Sequence, residues 1–184
     1  MTKKYGLRAE ALGWKSTQTQ KIRFDILTNF IKDDIKDSTI VDAGCGFGDY
    51  YFYLEQNNLL PKKYIGIDIE NFMCKIAQKR TSQTIIQKNI IKDKLVVADY
   101  YICSGAMSLL DTKRYQAFIL NVLKYAKKGF VFNIITNKTI NSKSNSPLFF
   151  RTQDEVINFC KNFDVDIKIC DKYLDNDFTI FLKK

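Results

Sequence analysis

Three glycines alternate with other residues in the segment 41–49, which reads VDAGCGFGD. The β-branched run before them predicts a buried strand, and the residues after them predict a helix. Glycines at such a junction let the backbone turn tightly and let a ligand contact main-chain N–H groups. Asp49 stands where the G-x-G-x-x-G pattern of dinucleotide-binding proteins requires its third glycine, so that pattern is absent. On its own, the turn is also compatible with a tight strand-to-helix connection that binds nothing.

Two aspartates accompany the glycine turn, and their positions narrow the kind of ligand. Asp42 lies two residues before the first glycine, close enough to face a positively charged ligand group. Asp68 ends a second predicted strand, twenty residues after Gly48, and an acid there can accept hydrogen bonds from both ribose hydroxyls. Asp68 could instead cap the helix that follows. Beside the glycine turn, the pair predicts a nucleoside ligand that lacks pyrophosphate and carries a cationic group. S-adenosylmethionine, with its ammonium and sulfonium, has that description.

The elements that must position these residues alternate along the chain. Strands are predicted at 39–43, 64–69, 84–86, 99–103, 130–135, 165–170 and 177–182. Helices are predicted at 16–35, 49–58, 70–80 and 112–127, and after a capping box at 152–155. Lys127, Lys128 and Gly129 are expected to end the helix at 112–127. The sequence therefore predicts an α/β fold: a single Rossmann-like domain with a seven-stranded, mostly parallel sheet, an antiparallel last strand and helices on both faces.

The composition excludes several kinds of active site. The 184 residues include no histidine, so the chain has no Ser-His-Asp or Cys-His pair, no imidazole base and no histidine-bound metal. Its five cysteines form no Cys-x-x-Cys pair, so we expect reduced, mostly buried thiols and no metal site. Neither a signal peptide nor an apolar run long enough to span a membrane is found, so a cytoplasmic location is expected.

The net charge of +9 gives a weaker indication of what the protein binds. The basic residues are 24 lysines and only 5 arginines, and no run of lysines is longer than two. This distribution indicates a compositional bias of the coding sequence more than a phosphate-binding face, which usually clusters its basic residues. A basic surface still favours acidic substrates through electrostatic steering.

The chain resembles class I S-adenosylmethionine-dependent methyltransferases over about residues 12–184. The segments 41–48 and 64–68 resemble the first and second motifs of that superfamily, and the two motifs are specific together. The segment 99–107, DYYICSGAM, resembles the fourth-strand region, and 130–135 resembles the fifth strand.

The two ends of the chain resemble a narrower, bacterial methyltransferase-like subgroup of unassigned substrate. The front segment 11–24, ALGWKSTQTQKIRF, and the ending 177–182, DFTIFL, carry that similarity. It implies one methyltransferase domain over residues 1–184, in which residues 1–36 form a helical segment that covers the cofactor site.

The resemblance also implies roles for individual residues at the cofactor. Asp42 and the glycine turn would hold the methionine part, and Asp68 would hold the ribose. The adenine contact falls on Asn89, where the superfamily usually has an aspartate. Arg23 would bind the cofactor carboxylate, although a solvated helix arginine is an equally good interpretation of Arg23, as a core position is of Trp14. The full set implied at the cofactor is Asp42, Gly44, Cys45, Gly46, Gly48, Asp68, Ile69, Asn89, Ile90, Ser104, Trp14 and Arg23.

The sequence says less about the identity of the methyl acceptor than about the cofactor. Methyl transfer from a sulfonium needs mainly alignment and desolvation, and it needs a base only when the acceptor must lose a proton. By topology Tyr5, Tyr101 and Asn133 are the candidate catalytic residues, although each aromatic more often belongs to a core. Ser104 would lie beside the transferred methyl group. The segment 104–107, SGAM, lacks the Asp/Asn-Pro-Pro-aromatic sequence of enzymes that methylate amino groups of DNA.

A small-molecule acceptor is therefore the favoured interpretation, and an anionic one suits the basic surface. An RNA methyltransferase that uses the lysines for phosphate contacts is the alternative. A methyltransferase-like module that serves a protein partner without catalysis is a third. Nothing in the sequence indicates the oligomeric state.

Overall fold

The computed structural model describes residues 16–136 and 148–184. Tyr5 and Trp14, which the sequence places near the site, lie outside the described residues. The helices of the described part are α1 (Thr17–Asn29), α2 (Asp49–Gln56), α3 (Asn71–Thr81), α4 (Thr112–Tyr125) and α5 (Gln153–Cys160), with short 3-10 helices at Ile35–Asp37 and Ala106–Leu109. The strands are β1 (Thr39–Ala43), β2 (Lys63–Asp68), β3 (Thr84–Gln87), β4 (Ala98–Cys103), β5 (Ala126–Ile135), β6 (Asp166–Cys170) and β7 (Asp177–Lys183). None of these helices is long and apolar enough to cross a membrane.

The seven strands form one sheet with the order β3-β2-β1-β4-β5-β7-β6. Strands β1 to β5 are parallel to one another, whereas β7 runs antiparallel to both β5 and β6. The strand order reverses between β1 and β4, and in open α/β sheets the ligand-binding crevice lies at the carboxyl edge beside such a point. The predicted fold class is confirmed, including the antiparallel last strand.

Helices cover both faces of the sheet. Successive residues of each strand point to opposite faces, so each face contributes side chains to its own core. One core cluster contains Val41 and Tyr101 together with the apolar side of α4 and part of α5. The other contains Ile40 and Tyr100 together with α1 and α2. The sheet is therefore buried on both sides, as is typical of a mostly parallel sheet.

Lys127, Lys128 and Gly129 belong to β5, so the predicted end of α4 is wrong. The helix ends at Tyr125, and the strand begins at the next residue. A Cβ at Gly129 would lie 2.6 Å from the carbonyl oxygen of Leu182. The glycine therefore serves the close approach of β7 to β5 and does not end a helix.

Lys184, near the other end of the chain, caps α4 instead. Its Nζ donates to the carbonyl oxygens of Leu123 and Ala126 at 2.9 and 3.0 Å. The last carbonyls of a helix lack partners within the helix, and here a remote ammonium supplies one. Ala126 itself pairs with Ala98 of β4, so the chain passes directly from the helix into the sheet.

The other elements lie within a few residues of their predicted positions, except that the first helix is shorter. It ends at Asn29, and turns lead from there to the 3-10 helix at Ile35–Asp37. The predicted capping box is present: the Thr152 side chain accepts from the Glu155 N–H, and the Glu155 side chain accepts from the Thr152 N–H. All five cysteines are free thiols, four of them buried and Cys170 half-buried.

Candidate functional site

The glycine turn connects β1 to α2 in a conformation that glycine adopts readily and other residues do not. Gly44, Gly46 and Gly48 have φ angles of +85°, +54° and +80°. The N–H groups of Gly44 and Cys45 donate to the carbonyl oxygen of Ile67 at 2.7 and 3.1 Å. The turn is thereby fixed to the end of β2.

Two of these glycines also allow close packing from either side. A Cβ at Gly44 would lie 2.6 Å from the Cβ of Ala106, in the 3-10 helix after β4. A Cβ at Gly48 would lie 2.6 Å from Cγ2 of Thr81, at the end of α3. Real Cβ atoms do not approach so closely, so both positions need glycine for space as well as for backbone conformation.

Sequence reasoning missed the residues that hold the start of α2. Arg80 donates through Nη1 to the carbonyl oxygen of Phe47 at 2.7 Å and to Asp49 Oδ1 at 2.8 Å. Gln20, on α1, donates to Asp49 Oδ2 at 3.3 Å. Asp49, whose presence excludes the dinucleotide pattern, thus fastens the turn to α1 and α3. The scarcity of arginine in this lysine-rich chain was the available signal for Arg80.

Asp68 ends β2 beside the glycine turn, and it is only 7% exposed. Its Oδ2 accepts from the N–H of Gly46 at 3.0 Å, and its Oδ1 accepts from the N–H of Glu70 at 2.9 Å. Glu70 occupies the N-cap position of α3, so Asp68 is not the N-cap. A carboxylate oxygen can accept more than one hydrogen bond, so both oxygens of Asp68 can accept further donors. Ile69, which follows, is 56% exposed.

Asp42 is a second buried carboxylate of the site, and its charge is destabilised. It is 3% exposed, and its Oδ2 accepts from the Tyr64 hydroxyl at 2.6 Å. Burial raises the pKa of Asp42 from 3.8 to about 7; the Tyr64 hydrogen bond opposes this rise, and the charges of Asp68 and Asp49 add to it. A cation placed beside Asp42 would favour its ionised form.

The Cys45 thiol is protonated in this environment. Burial raises its pKa well above the usual range, and the charges of Asp42 and Asp68 raise it further. Because the thiolate is the reactive form of cysteine, Cys45 is not a nucleophile here. A contact between the backbone of Cys45 and the cofactor stays a prediction.

Asn133, on β5, holds the loop that follows β4. Its Oδ1 accepts from the Gly105 N–H at 3.0 Å, and its Nδ2 donates to Ser104 Oγ at 3.4 Å. The residue is 2% exposed. The Asn133 amide therefore holds the loop in position, because both its oxygen and its nitrogen form hydrogen bonds to loop residues.

Asn89 and Ile90 follow β3 in a tight turn. Asn89 Oδ1 accepts from the Ile91 N–H at 2.9 Å, and the Asn89 N–H donates to Asp93 Oδ2 at 2.8 Å. Ile90 is buried, and its carbonyl oxygen accepts from Asn121 of α4 at 2.7 Å. The turn is thus tied to α4, with the Asn89 side chain half-buried.

The structure does not bring Tyr101 to the carboxyl edge. Its side chain is fully buried, and its hydroxyl donates to the carbonyl oxygen of Val96, in the loop before β4. Burial raises the pKa of Tyr101 above its ordinary value. Tyr101 is a core residue whose hydroxyl faces the opposite end of its strand.

Arg23 is buried and forms an ion pair with Asp177 at the start of β7. The same carboxylate accepts from the Tyr173 hydroxyl, which also contacts Thr179 Oγ1 at 2.8 Å. This cluster connects α1 to the carboxyl edge beyond β5. A contact between Arg23 and a cofactor carboxylate stays a prediction.

The carboxyl edge therefore gathers Asp42, the glycine turn, Asp68, Asn89 and Ser104, which follow or end strands β1 to β4. They surround the point where the strand order reverses, which is where open α/β sheets bind ligands. Among the described residues no cluster of cysteine, aspartate and glutamate has the geometry of a metal site. The arrangement offers two carboxylates beside a glycine turn without side chains, which suits a polar, partly cationic ligand.

Known proteins match this chain in sequence and in fold. The model of a methyltransferase domain family matches residues 40–129. The Mycobacterium tuberculosis protein Rv1506c, which carries a provisional description as a methyltransferase, is 27% identical over 159 residues, or 79% of this chain and 93% of that protein.

Two solved structures show how widely the fold is shared. Magnesium protoporphyrin IX methyltransferase from Synechocystis PCC 6803, solved with bound S-adenosylhomocysteine, matches with a TM-score of 0.73 at 14% identity, over 90% of this chain and 83% of that one. A Listeria monocytogenes protein, provisionally described as an S-adenosylmethionine-dependent methyltransferase, matches with a TM-score of 0.69 at 16% identity, over 90% and 99% of the two chains.

Together, the methyltransferase-domain match over residues 40–129, the Mycobacterium tuberculosis relative and the shared fold indicate an S-adenosylmethionine-dependent methyltransferase.

Proposed function

We propose that the protein transfers the methyl group of S-adenosylmethionine to a small, anionic acceptor, and that the glycine turn, Asp42 and Asp68 hold the cofactor. The observation that carries this proposal is the Asp68 carboxylate, fixed by the N–H groups of Gly46 and Glu70 at the mouth of the crevice. A carboxylate held in this way is ready to accept from two neighbouring hydroxyls. The ribose of the cofactor presents such a pair.

Asp42 supports the cationic part of the ligand. A buried carboxylate whose pKa is raised by desolvation gains most from a positive group nearby. The ammonium of the cofactor supplies that charge. The glycines of the turn carry no side chains, so the methionine part of the cofactor can approach the backbone there closely.

The adenine ring fits the segments after β2 and β3. Ile69 and Ile90 are the apolar residues there, one exposed and one buried. Asn89 Oδ1 accepts from the Ile91 N–H, which leaves Nδ2 as the donor toward a ring nitrogen. An asparagine can thus donate a hydrogen bond to the adenine ring, whereas an aspartate would accept one from it.

The methyl-transfer step mainly requires that the acceptor atom is aligned with the methyl group of the cofactor. The bound cofactor supplies an activated methyl group on a sulfonium, so the protein has to orient the acceptor and exclude water. Asn133 positions Ser104 and Gly105 at the end of β4, and this loop is the wall against which the acceptor would lie. The described residues place no tyrosine or cysteine with a lowered pKa there, which favours an acceptor atom that needs no strong base.

The basic surface supports an anionic acceptor. A net charge of +9 raises the local concentration of anions by steering. The spread of the lysines favours a small molecule over RNA, which requires a continuous basic face.

The acceptor class can be tested with methyl-labelled S-adenosylmethionine. The protein is incubated with the labelled cofactor and with separated fractions of a bacterial extract: small molecules, RNA and protein. We expect label in small molecules that are retained on an anion exchanger, and no label from a sample without the protein. Transfer into the RNA fraction, removed by ribonuclease and weakened steeply by salt, would replace this proposal with the RNA methyltransferase.

A further inference from the structure

Arg151 and Ser108 lie next to the Ser104–Gly105 loop, against which the acceptor is proposed to lie. Neither residue belongs to the set proposed to bind the cofactor. Ser108 is in the 3-10 helix directly after Gly105. The Arg151 N–H donates to the carbonyl oxygen of Ile135, the last residue of β5, at 3.2 Å. A bond of 2.7 Å from the Phe149 N–H to the Ser108 carbonyl oxygen joins the two segments.

The Arg151 guanidinium is buried without a counter-ion. The residue is 6% exposed, and its charged group donates to the carbonyl oxygens of Leu110 and Phe149 and stacks on the Tyr115 ring at 4.1 Å. It forms no salt bridge with any carboxylate of the described residues. Desolvation lowers its pKa from the ordinary arginine value, so a negative partner would relieve an electrostatic cost.

The nearest acidic side chains are already engaged. Glu155 accepts from the Thr152 N–H in the capping box. Asp111 accepts from the Arg114 N–H at the start of α4. Neither carboxylate compensates the buried cation of Arg151 by direct contact.

Two buried polar atoms at this place, Arg151 Nε and Ser108 Oγ, have no hydrogen-bond partner among the described residues. A buried donor without a partner costs about 1–3 kcal/mol, and native proteins keep few of them. An N–H donor and a hydroxyl on two joined segments, with a guanidinium that has no direct ion pair, match the needs of an oxyanion, although the charges of Glu155 and Asp111 act on Arg151 from a distance. Leu109 and Phe149, their neighbours along the chain, are 54% and 46% exposed, which offers apolar surface for the rest of a small molecule.

We propose that Arg151 and Ser108 form the subsite that binds the anionic group, a carboxylate or a phosphate, of the methyl acceptor. This inference rests on the proposed function, and it names the residues that would bind the negative charge of the acceptor. Both unpartnered atoms are buried in the described conformation, so an anion reaches them only when neighbouring side chains move aside. The distance along the chain is short: Ser108 is one turn of 3-10 helix beyond the Ser104–Gly105 loop.

The test uses the full chain saturated with S-adenosylhomocysteine and titrates it with inorganic phosphate and, separately, with acetate at constant ionic strength. The signal is the NMR resonance of the Arg151 Nε–H, which the Arg151→Met variant identifies among the 5 arginines. We expect a saturable shift with an apparent Kd of about 1–10 mM for at least one anion. The preferred anion then tells whether the acceptor carries a phosphate or a carboxylate.

Two variants make the outcome specific. Ser108→Ala removes a hydroxyl that has no partner, so it should keep the stability of the fold while it raises the apparent Kd at least threefold. Arg114→Met removes an exposed arginine of α4 and should leave the titration unchanged. Absence of a saturable shift with either anion, or equal affinity in Ser108→Ala and the parent, overturns the subsite. Failure to bind S-adenosylhomocysteine in the first step would count against the proposed function instead.

Discussion

At the scale of single residues, Asp42 and Asp68 are two carboxylates of one site with opposite surroundings. Asp68 accepts from two main-chain N–H groups, which fix the carboxylate in place. Asp42 has one hydroxyl partner and is otherwise desolvated, so its charge is costly. The first is therefore a fixed acceptor, and the second responds to the charge of whatever binds beside it.

The raised pKa of Asp42 predicts how stability depends on pH. The folded state holds the Asp42 proton up to about pH 7, whereas the unfolded chain releases it near its ordinary value of 3.8. The stabilising contribution of the bound proton is thus fully present below that ordinary value and is lost as the pH rises toward the folded pKa. Relative to Asp42→Asn, the free energy of unfolding of the parent should fall by about 4 kcal/mol across this window.

Urea denaturation of the two proteins at a series of pH values checks this. Other carboxylates titrate in both proteins, so their effect cancels in the difference. Parallel stability curves from pH 4 to pH 7 would show that the burial of Asp42 does not control its protonation.

Residues of the site that depend on spacing along the chain could be predicted, and those that depend on remote partners could not. Asp68 and the glycines follow from the strand–turn–helix pattern. Tyr64 meets Asp42 across 22 residues, and Arg151 meets Leu110 across 41. No local pattern indicates such pairs, because they form only when the sheet has assembled.

At the scale of elements, the glycine turn and the 3-10 helix after β4 depend on each other. Gly44 leaves no space for a side chain beside Ala106. The same 3-10 helix begins after Gly105, whose N–H is held by Asn133 of β5. The glycine turn proposed for the cofactor and the loop proposed for the acceptor are therefore one packed unit.

Gly44→Ala should destabilise this unit for two separable reasons. The left-handed backbone at φ +85° costs a non-glycine residue about 1–2 kcal/mol, and the new Cβ would lie 2.6 Å from that of Ala106. We expect a total loss of about 2 kcal/mol or more in the free energy of unfolding, measured by urea denaturation.

The cycle with Ala106→Gly separates the two causes. The double variant relieves the contact and keeps the backbone cost, so Gly44→Ala should be less damaging in the Ala106→Gly background. Equal losses in both backgrounds would mean that the contact with Ala106 does not contribute.

The boundary between α4 and β5 shows why local signals can mislead at this scale. Lysines followed by glycine are typical of a helix end. Here Lys184 caps the helix from 58 residues away, and Gly129 allows β7 to approach. Pairing with β4 and β7 outweighs the local preference, which is a tertiary effect.

At the scale of the whole molecule, the strand order brings residues far apart in sequence to one edge of the sheet. We propose that the cofactor binds at that edge. The alternation of strands and helices in the sequence was enough to predict the class of fold. It does not determine the acceptor, since one fold hosts many functions. The acceptor has to be inferred from side chains such as Arg151 and Ser108, and the net charge of +9 acts only as a general attraction.

The central claim is that S-adenosylmethionine binds in this crevice through Asp68, and calorimetric titration with S-adenosylhomocysteine tests it most directly. The folded parent should bind one equivalent. Asp68→Asn keeps an acceptor for a main-chain N–H but loses the charge, so it should bind at least tenfold more weakly, a difference of about 1.4 kcal/mol or more. Asp33→Asn, which changes an exposed carboxylate, should bind like the parent. Absence of binding to the folded parent, or unchanged affinity in Asp68→Asn, would contradict the account.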